Sequence, residues 1–399
     1  MQLNELRRAG DVRSLLAALT HFGVSCMVWT ILGALGITIS QDLHLSSGRM
    51  GLIVGTPLVA AAVTRVVMGI LADRYGPKRV GALSLLVSLA PLVWGWLGAD
   101  SFTSLLGVGL LLGVAGGSFA VSIPLASRWF QPRYQGLAMG IAGAGNAGTV
   151  VCTLVAPRIA DHLGWHAALG IACAPIALGW LAFTLLATEP PAPEHPLTAA
   201  AIAAVLRERD TWKLCLFYSI SFGCFVGFTS FLPILLHGQY GLSKLQAATV
   251  TACGVGLGSL LRPIGGWAAD RMGGTRVLAG AFALTGAALI IIARTPPLAV
   301  VVVVFPLAMG VFGVGNGATF QIVGLRFRDR IGVVTGIVGA AGGLGGFFLP
   351  TLLGALHGQG GYGEGLALVA TVILSTLAVI LIVRARWRRG WAAVAEARI

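Results

Sequence analysis

Two arginines hold matching places in this chain. Arg65 opens RVVMGILADRYGPKRV and Arg262 opens RPIGGWAADRMGGTRV, and arginine, aspartate, arginine, glycine and the closing Arg-Val recur at one constant spacing of 197 residues. In a helix rising about 1.5 Å per residue, each arginine stands about two turns before its Asp-Arg pair. A guanidinium offers parallel N–H donors that can engage two oxygens of a planar oxyanion, which lysine cannot imitate. All fourteen carboxylates lie at the ends of apolar runs or between them. Two cationic groups without an internal counter-ion suit a small mobile anion.

The runs around these arginines define their solvent. Hydrophobic residues make up 56% of the 399 and charged residues only 10%, with a mean hydropathy of +0.88. Water-soluble domains carry about 25% charge, so the chain belongs in a bilayer. Apolar runs near 14–40, 48–72, 79–98, 102–127, 134–160, 165–187, 211–237, 243–270, 275–294, 297–323, 331–357 and 362–384 predict twelve transmembrane helices, an all-α membrane protein. No cleavable signal peptide is expected, because the first run is too long and lacks a small-residue cleavage site.

A net charge of +13 could signal nucleic acid, but the 27 basic residues alternate by loop. Arg7, Arg8 and Arg13, then Arg74, Lys78 and Arg79, Arg128 and Arg133, Arg207, Arg209 and Lys213, Arg271 and Arg276, Arg326, Arg328 and Arg330, and the tail from Arg384 to Arg398 fall on one side. Arg49, Arg158, Lys244 and Arg294 fall on the other. The positive-inside rule then places both termini in the cytoplasm and excludes a nucleic-acid patch. The six cysteines sit in apolar runs without CxxC spacing and read as packing residues. No nucleophile, base and orienting group converge, and no metal spacing occurs, so neither an enzyme nor a cofactor is expected.

Segment 188–210, TEPPAPEHPLTAAAIAAVLRERD, reads as a cytoplasmic linker between a six-helix bundle over 1–187 and another over 211–399 that ends in a short basic tail. Duplicated halves about an axis along the membrane normal are a common transporter plan, with the substrate near mid-membrane between them. Arg65 and Arg262 are therefore expected to face one another.

GILADRYGPKRV and its partner GGWAADRMGGTRV resemble the loop motif of the major facilitator superfamily. GIAGAGNAGTVVCTLVAP (Gly140 to Pro157) and GIVGAAGGLGGFFLP (Gly336 to Pro350) resemble the paired glycine-rich signatures of the nitrate/nitrite porter family, and LLRPIGGW, GVGNGATF and SFAVSIPLASRWF extend the resemblance over nearly the whole chain. It implies a secondary transporter working by alternating access, with Phe119 and Phe320 sandwiching the planar anion. Asn146 can donate an amide and Tyr218 a hydroxyl, or each can simply pack. Asp73, Arg74, Asp270 and Arg271 are implied as gating residues that lock helix ends. Gly140, Gly143, Gly145, Gly148, Gly336, Gly339, Gly342 and Gly343 are read as surfaces on which the halves slide. The second signature has Gly342 where the first has Asn146, so the halves contribute unequal polar groups. The implied partners are nitrate, nitrite and the lipid bilayer, with a monomer as the working unit in the cytoplasmic membrane.

Two bare guanidiniums in an occluded cavity repel, and a bound anion relieves that repulsion, so exchange of nitrate for nitrite is the favoured mode. Proton-coupled uptake is the rival, with His21 the one mid-membrane imidazole available. Two further readings compete with nitrate/nitrite transport: a same-fold carrier of cyanate or a carboxylate, and a membrane sensor that binds nitrate without moving it.

Overall fold

The computed structural model describes residues 10–45, 47–191, 199–360 and 362–390. Arg7, Arg8, Glu194, Glu396 and Arg398 lie outside them. Twelve helices are long and apolar enough to cross a membrane: α1 (Val12–Trp29), α2 (Leu52–Tyr75), α3 (Pro77–Gly98), α4 (Phe102–Ser127), α5 (Pro132–Leu163), α6 (Trp165–Leu186), α7 (Arg209–Thr229), α8 (Leu245–Met272), α9 (Gly274–Ala293), α10 (Leu298–Arg326), α11 (Arg328–Leu349) and α12 (Tyr362–Trp387). All regular structure among the described residues is helical. The chain is a multi-pass membrane protein of two pseudo-symmetric six-helix bundles, α1–α6 and α7–α12.

The helices depart from unbroken apolar runs where glycine gathers, because glycine is a poor helix former. The first run continues beyond α1 as two short helices, Ile31–Ala34 and Gly36–Asp42. Span α4 breaks into Phe102–Gly116 and Phe119–Ser127, and α5 passes through a 3-10 turn, Ala144–Ala147, between two α-helical pieces. In α4 the Ala120 amide turns to the Gly117 carbonyl, which releases the Gly116 carbonyl from its ordinary i+4 partner. The predicted linker contains a helix of its own, Ala199–Arg207.

The sequence repeat is also a repeat of backbone. Gly76 and Gly273, 197 residues apart, stand at the α2–α3 and α8–α9 turns with φ of 93° and 98°, a region that costs other residues about 1–2 kcal/mol. The halves meet along α2 against α11 and α5 against α8. There the backbones approach closely: a Cβ on Gly336 would lie 2.5 Å from the Arg65 carbonyl oxygen, and one on Gly140 would lie 2.7 Å from Pro263 Cα. At the basic end of the second half, Asp210 accepts from Lys213 (2.7 Å), from the Trp387 indole (2.7 Å) and from Arg326 (3.2 Å). Arg326 also reaches Glu208 at 3.0 Å. This cluster ties the start of α7 to the ends of α10 and α12.

Candidate anion-binding site

Arg65 on α2 and Arg262 on α8 are the largest fully buried side chains, 1% and 2% exposed. No carboxylate pairs with either among the described residues; the ion pairs of the fold engage other cations. An uncompensated arginine at membrane depth costs from about 2.5 to more than 10 kcal/mol unless it faces a cavity or partner. Arg65 is held in part by backbone. Its Nε donates to the Gly116 carbonyl freed by the α4 break (2.9 Å), and Nη1 donates to Gly339 of α11 across the interface (2.7 Å). Arg262 donates from Nη2 to the Tyr218 hydroxyl (3.1 Å). Nη2 of Arg65 and both Nε and Nη1 of Arg262 are buried without a partner. These orphaned donors make the chamber hungry for an acceptor.

Aromatic faces supply the rest of the wall. The Arg65 guanidinium lies 5.1 Å from the Trp29 ring and 5.3 Å from the Phe222 ring; that of Arg262 lies 4.9 Å from Phe119 and 5.9 Å from Phe222. Cation–π attraction lowers the charge cost without adding an anion that would compete with substrate. The rings of Phe119, Tyr218 and Phe320 lie together. Phe119 and Phe320 meet edge to face at 4.8 Å, while Phe119 lies parallel to Tyr218 at 6.1 Å. The two phenylalanines are thus in direct contact in this conformation, and Tyr218 supplies the parallel face. Asn146 is 5% exposed on the 3-10 turn of α5, and its Oδ1 accepts from the Cys26 thiol at 3.3 Å.

At the basic ends of the helices, the duplicated aspartates make duplicated contacts. Asp73 accepts from the Gly332 and Val333 amides at the start of α11 (3.1 and 2.8 Å), and Asp270 accepts from Gly136 and Leu137 at the start of α5 (3.1 and 2.9 Å). Each carboxylate of one half therefore caps a helix N-terminus of the other, where the free amides and the helix dipole favour negative charge. Asp73 also pairs with Arg128. Arg74 and Arg271 are placed elsewhere, over the rings of Tyr75 (5.3 Å) and Trp267 (4.3 Å).

The major facilitator superfamily profile matches residues 17–350. The chain is 33% identical to a nitrite extrusion protein of Bacillus subtilis, over 89% of this chain and 90% of that protein. It is 34% identical to a probable nitrate/nitrite transporter, NarK2, of Mycobacterium tuberculosis, over 92% and 95%. The chain belongs to the nitrate/nitrite porter family. A probable nitrate/nitrite antiporter, NarK1, of Thermus thermophilus is 30% identical over 87% of this chain. Among solved structures, the human organic anion transporter MFSD10 (TETRAN) superposes with a TM-score of 0.74, covering 93% of this chain and 99% of its own at 17% identity; that likeness concerns the fold alone. As a member of this porter family the chain is a transporter and not an enzyme.

The glycines of this porter divide into two groups. Gly140, Gly143, Gly336, Gly339 and Gly343 face the other half, against Pro263, Arg262 or Arg65. Gly145 and Gly148 instead press on Leu19, Gly23 and Met27 of α1, and Gly342 presses on Tyr218 and Phe222, all within their own halves. A Cβ at position 342 would lie 2.5 Å from the Tyr218 ring, so an asparagine matching Asn146 has no room there. Trp29, Phe222 and the Gly116 and Gly339 carbonyls went unread in the sequence. Phe222 had a signal, one helical turn after Tyr218 on the same face; carbonyl ligands carry none.

Proposed function

We propose that this protein moves nitrate and nitrite across the cytoplasmic membrane by alternating access, with exchange as the favoured mode and both termini cytoplasmic. The observation that carries the reading is the pair of buried guanidiniums with orphaned N–H groups and no partner carboxylate among the described residues. The anion docks on Arg65 and Arg262, stacks against Phe119 and Phe320, and receives a hydroxyl from Tyr218 and an amide from Asn146. Asp73 and Asp270 hold the cytoplasmic ends of α2–α11 and α5–α8 closed, and the glycines facing across the interface let the halves rock over one another. The single chain, surrounded by lipid, forms the whole path.

Exchange follows from electrostatics. Repulsion between two guanidiniums rises as the dielectric falls on closure, and one bound anion offsets it, so loaded carriers reorient faster than bare ones. The rival, proton symport through His21, meets a specific obstacle. The Ser84 hydroxyl donates to the Gly81 carbonyl (2.8 Å), so His21 Nε2–H donates to Ser84 (3.0 Å) and Nδ1 accepts from Ser122 (2.9 Å). Both ring nitrogens thus have serine partners, on α3 and α4, and Phe183 of α6 lies 4.8 Å away. A proton arriving on Nδ1 would have to turn the Ser122 hydroxyl around, which makes this ring a costlier relay than a solvent-facing imidazole.

Purified protein in liposomes should take up labelled nitrate saturably, with nitrite competing and cyanate and formate failing to compete at equal concentration. Stronger competition by cyanate or formate would assign the site to another anion, and saturable binding without flux would make the protein a sensor.

A further inference from the structure

We infer that Cys26 is a positioning residue that fixes which end of the Asn146 amide faces the anion. The inference rests on the anion reading above. Asn146 sits on the 3-10 turn Ala144–Ala147 of α5, one turn beyond Gly143, whose Cα backs onto the Arg262 guanidinium so closely that a Cβ would lie 2.7 Å from Cζ. Gly145 anchors the same turn against Leu19 and Gly23 of α1. The amide therefore borders the arginine chamber, and Cys26, fully buried on α1, lies within the fields of both Arg65 and Arg262.

A primary amide is polar at both ends. Turned one way it offers an anion two N–H donors; turned the other way it offers a carbonyl oxygen that repels the anion. The side chain must be held in the first orientation, and Cys26 holds it. Its thiol donates to Asn146 Oδ1 at 3.3 Å, and no other hydrogen bond of Asn146 exists among the described residues. A neutral thiol has one proton to give and a sulfur that accepts poorly. It therefore selects the oxygen end and leaves the NH2 group free toward the chamber. The sequence reading of Cys26 as packing accounts for its burial and not for this contact.

The test uses the full-length porter with Cys26→Ala, which removes the donor, and Cys26→Ser, which keeps one at similar volume. Cys26→Ala should raise the nitrate KM of exchange about fivefold, the loss of one oriented neutral donor, with kcat within twofold of the parent. Cys26→Ser should return KM to within twofold. Infrared spectroscopy supplies a reading independent of any anion, because the cysteine S–H stretch lies in a window free of other protein bands. The band lost in Cys26→Ala should move to the position of an unbonded thiol in Asn146→Ala. Equal KM for the Ala and Ser variants, a fall in kcat at constant KM, or an S–H band indifferent to Asn146→Ala would each overturn the inference. Absence of saturable nitrate uptake in the unmodified protein would instead overturn the anion reading, and the infrared result would stand apart from it.

Discussion

Replacing Arg262 by lysine keeps the charge and removes the directed donors. Arg262 contributes two orphaned nitrogens, Nε and Nη1, and one bond to Tyr218. Lysine can still approach the Phe119 face and offer one N–H to an anion, so the substitution removes one charge-assisted hydrogen bond to substrate. Such a bond is worth about 1.5–3 kcal/mol net, and a loss of about 2 kcal/mol weakens nitrate binding roughly 30-fold. Folding should change little, because two of the three deleted nitrogens bond nothing in the protein and the third bonds only the Tyr218 hydroxyl. Arg65→Lys is the contrast. It strips donors from the Gly116 and Gly339 carbonyls, so it should lower the melting temperature as well as the affinity. Calorimetric nitrate titration of purified Arg262→Lys, alongside its thermal unfolding curve, reads both quantities. A Kd within threefold of the parent at unchanged Tm would refute the claim that the fork recognises the anion.

Tyr218→Phe removes the hydroxyl on Arg262 Nη2 and should weaken nitrate binding about fivefold, read by the same titration. Asp73→Asn breaks the pair with Arg128 and weakens the cap on α11, whereas the partners of Asp270 among the described residues are the two amides of α5. Asp73→Asn should therefore slow exchange more than Asp270→Asn, with nitrate Kd in both within about twofold of the parent, as measured by parallel flux and binding assays. Gly336→Ala puts a methyl 2.5 Å from the Arg65 carbonyl and 3.1 Å from Val66 Cα; exchange should fall at least tenfold, because the close α2–α11 approach no longer fits. Ala at position 256, where a Cβ on Gly256 meets nothing within 4 Å, should leave exchange unchanged.

The parts of this molecule that repeat were legible in the sequence. Arg65 with Arg262, Asp73 with Asp270 and Gly76 with Gly273 recur at a fixed spacing, and a recurring charge in an apolar run has few physical explanations. The side chains that break the symmetry were harder to read. Arg128 follows the last residue of α4, 55 positions from the carboxylate it meets, and only the assembled bundle brings it to Asp73 in place of the neighbouring Arg74. The Gly116 carbonyl became a ligand because a glycine pair unwound α4, a consequence of backbone geometry that residue identity does not display. Glycine composition revealed close packing without its direction, so Gly145, Gly148 and Gly342 were grouped with glycines that face the other half. Cys26 was read as small and apolar, since its one polar act depends on Asn146, 120 residues away.

Counterflow in proteoliposomes tests the central claim most directly. Vesicles loaded with nitrite and held at equal internal and external pH should accumulate labelled nitrate severalfold faster than vesicles without internal anion, and His21→Asn should preserve that ratio wherever the protein folds. Equal rates in loaded and anion-free vesicles, with uptake following an imposed proton gradient, would contradict anion-dependent closure of the two-arginine chamber.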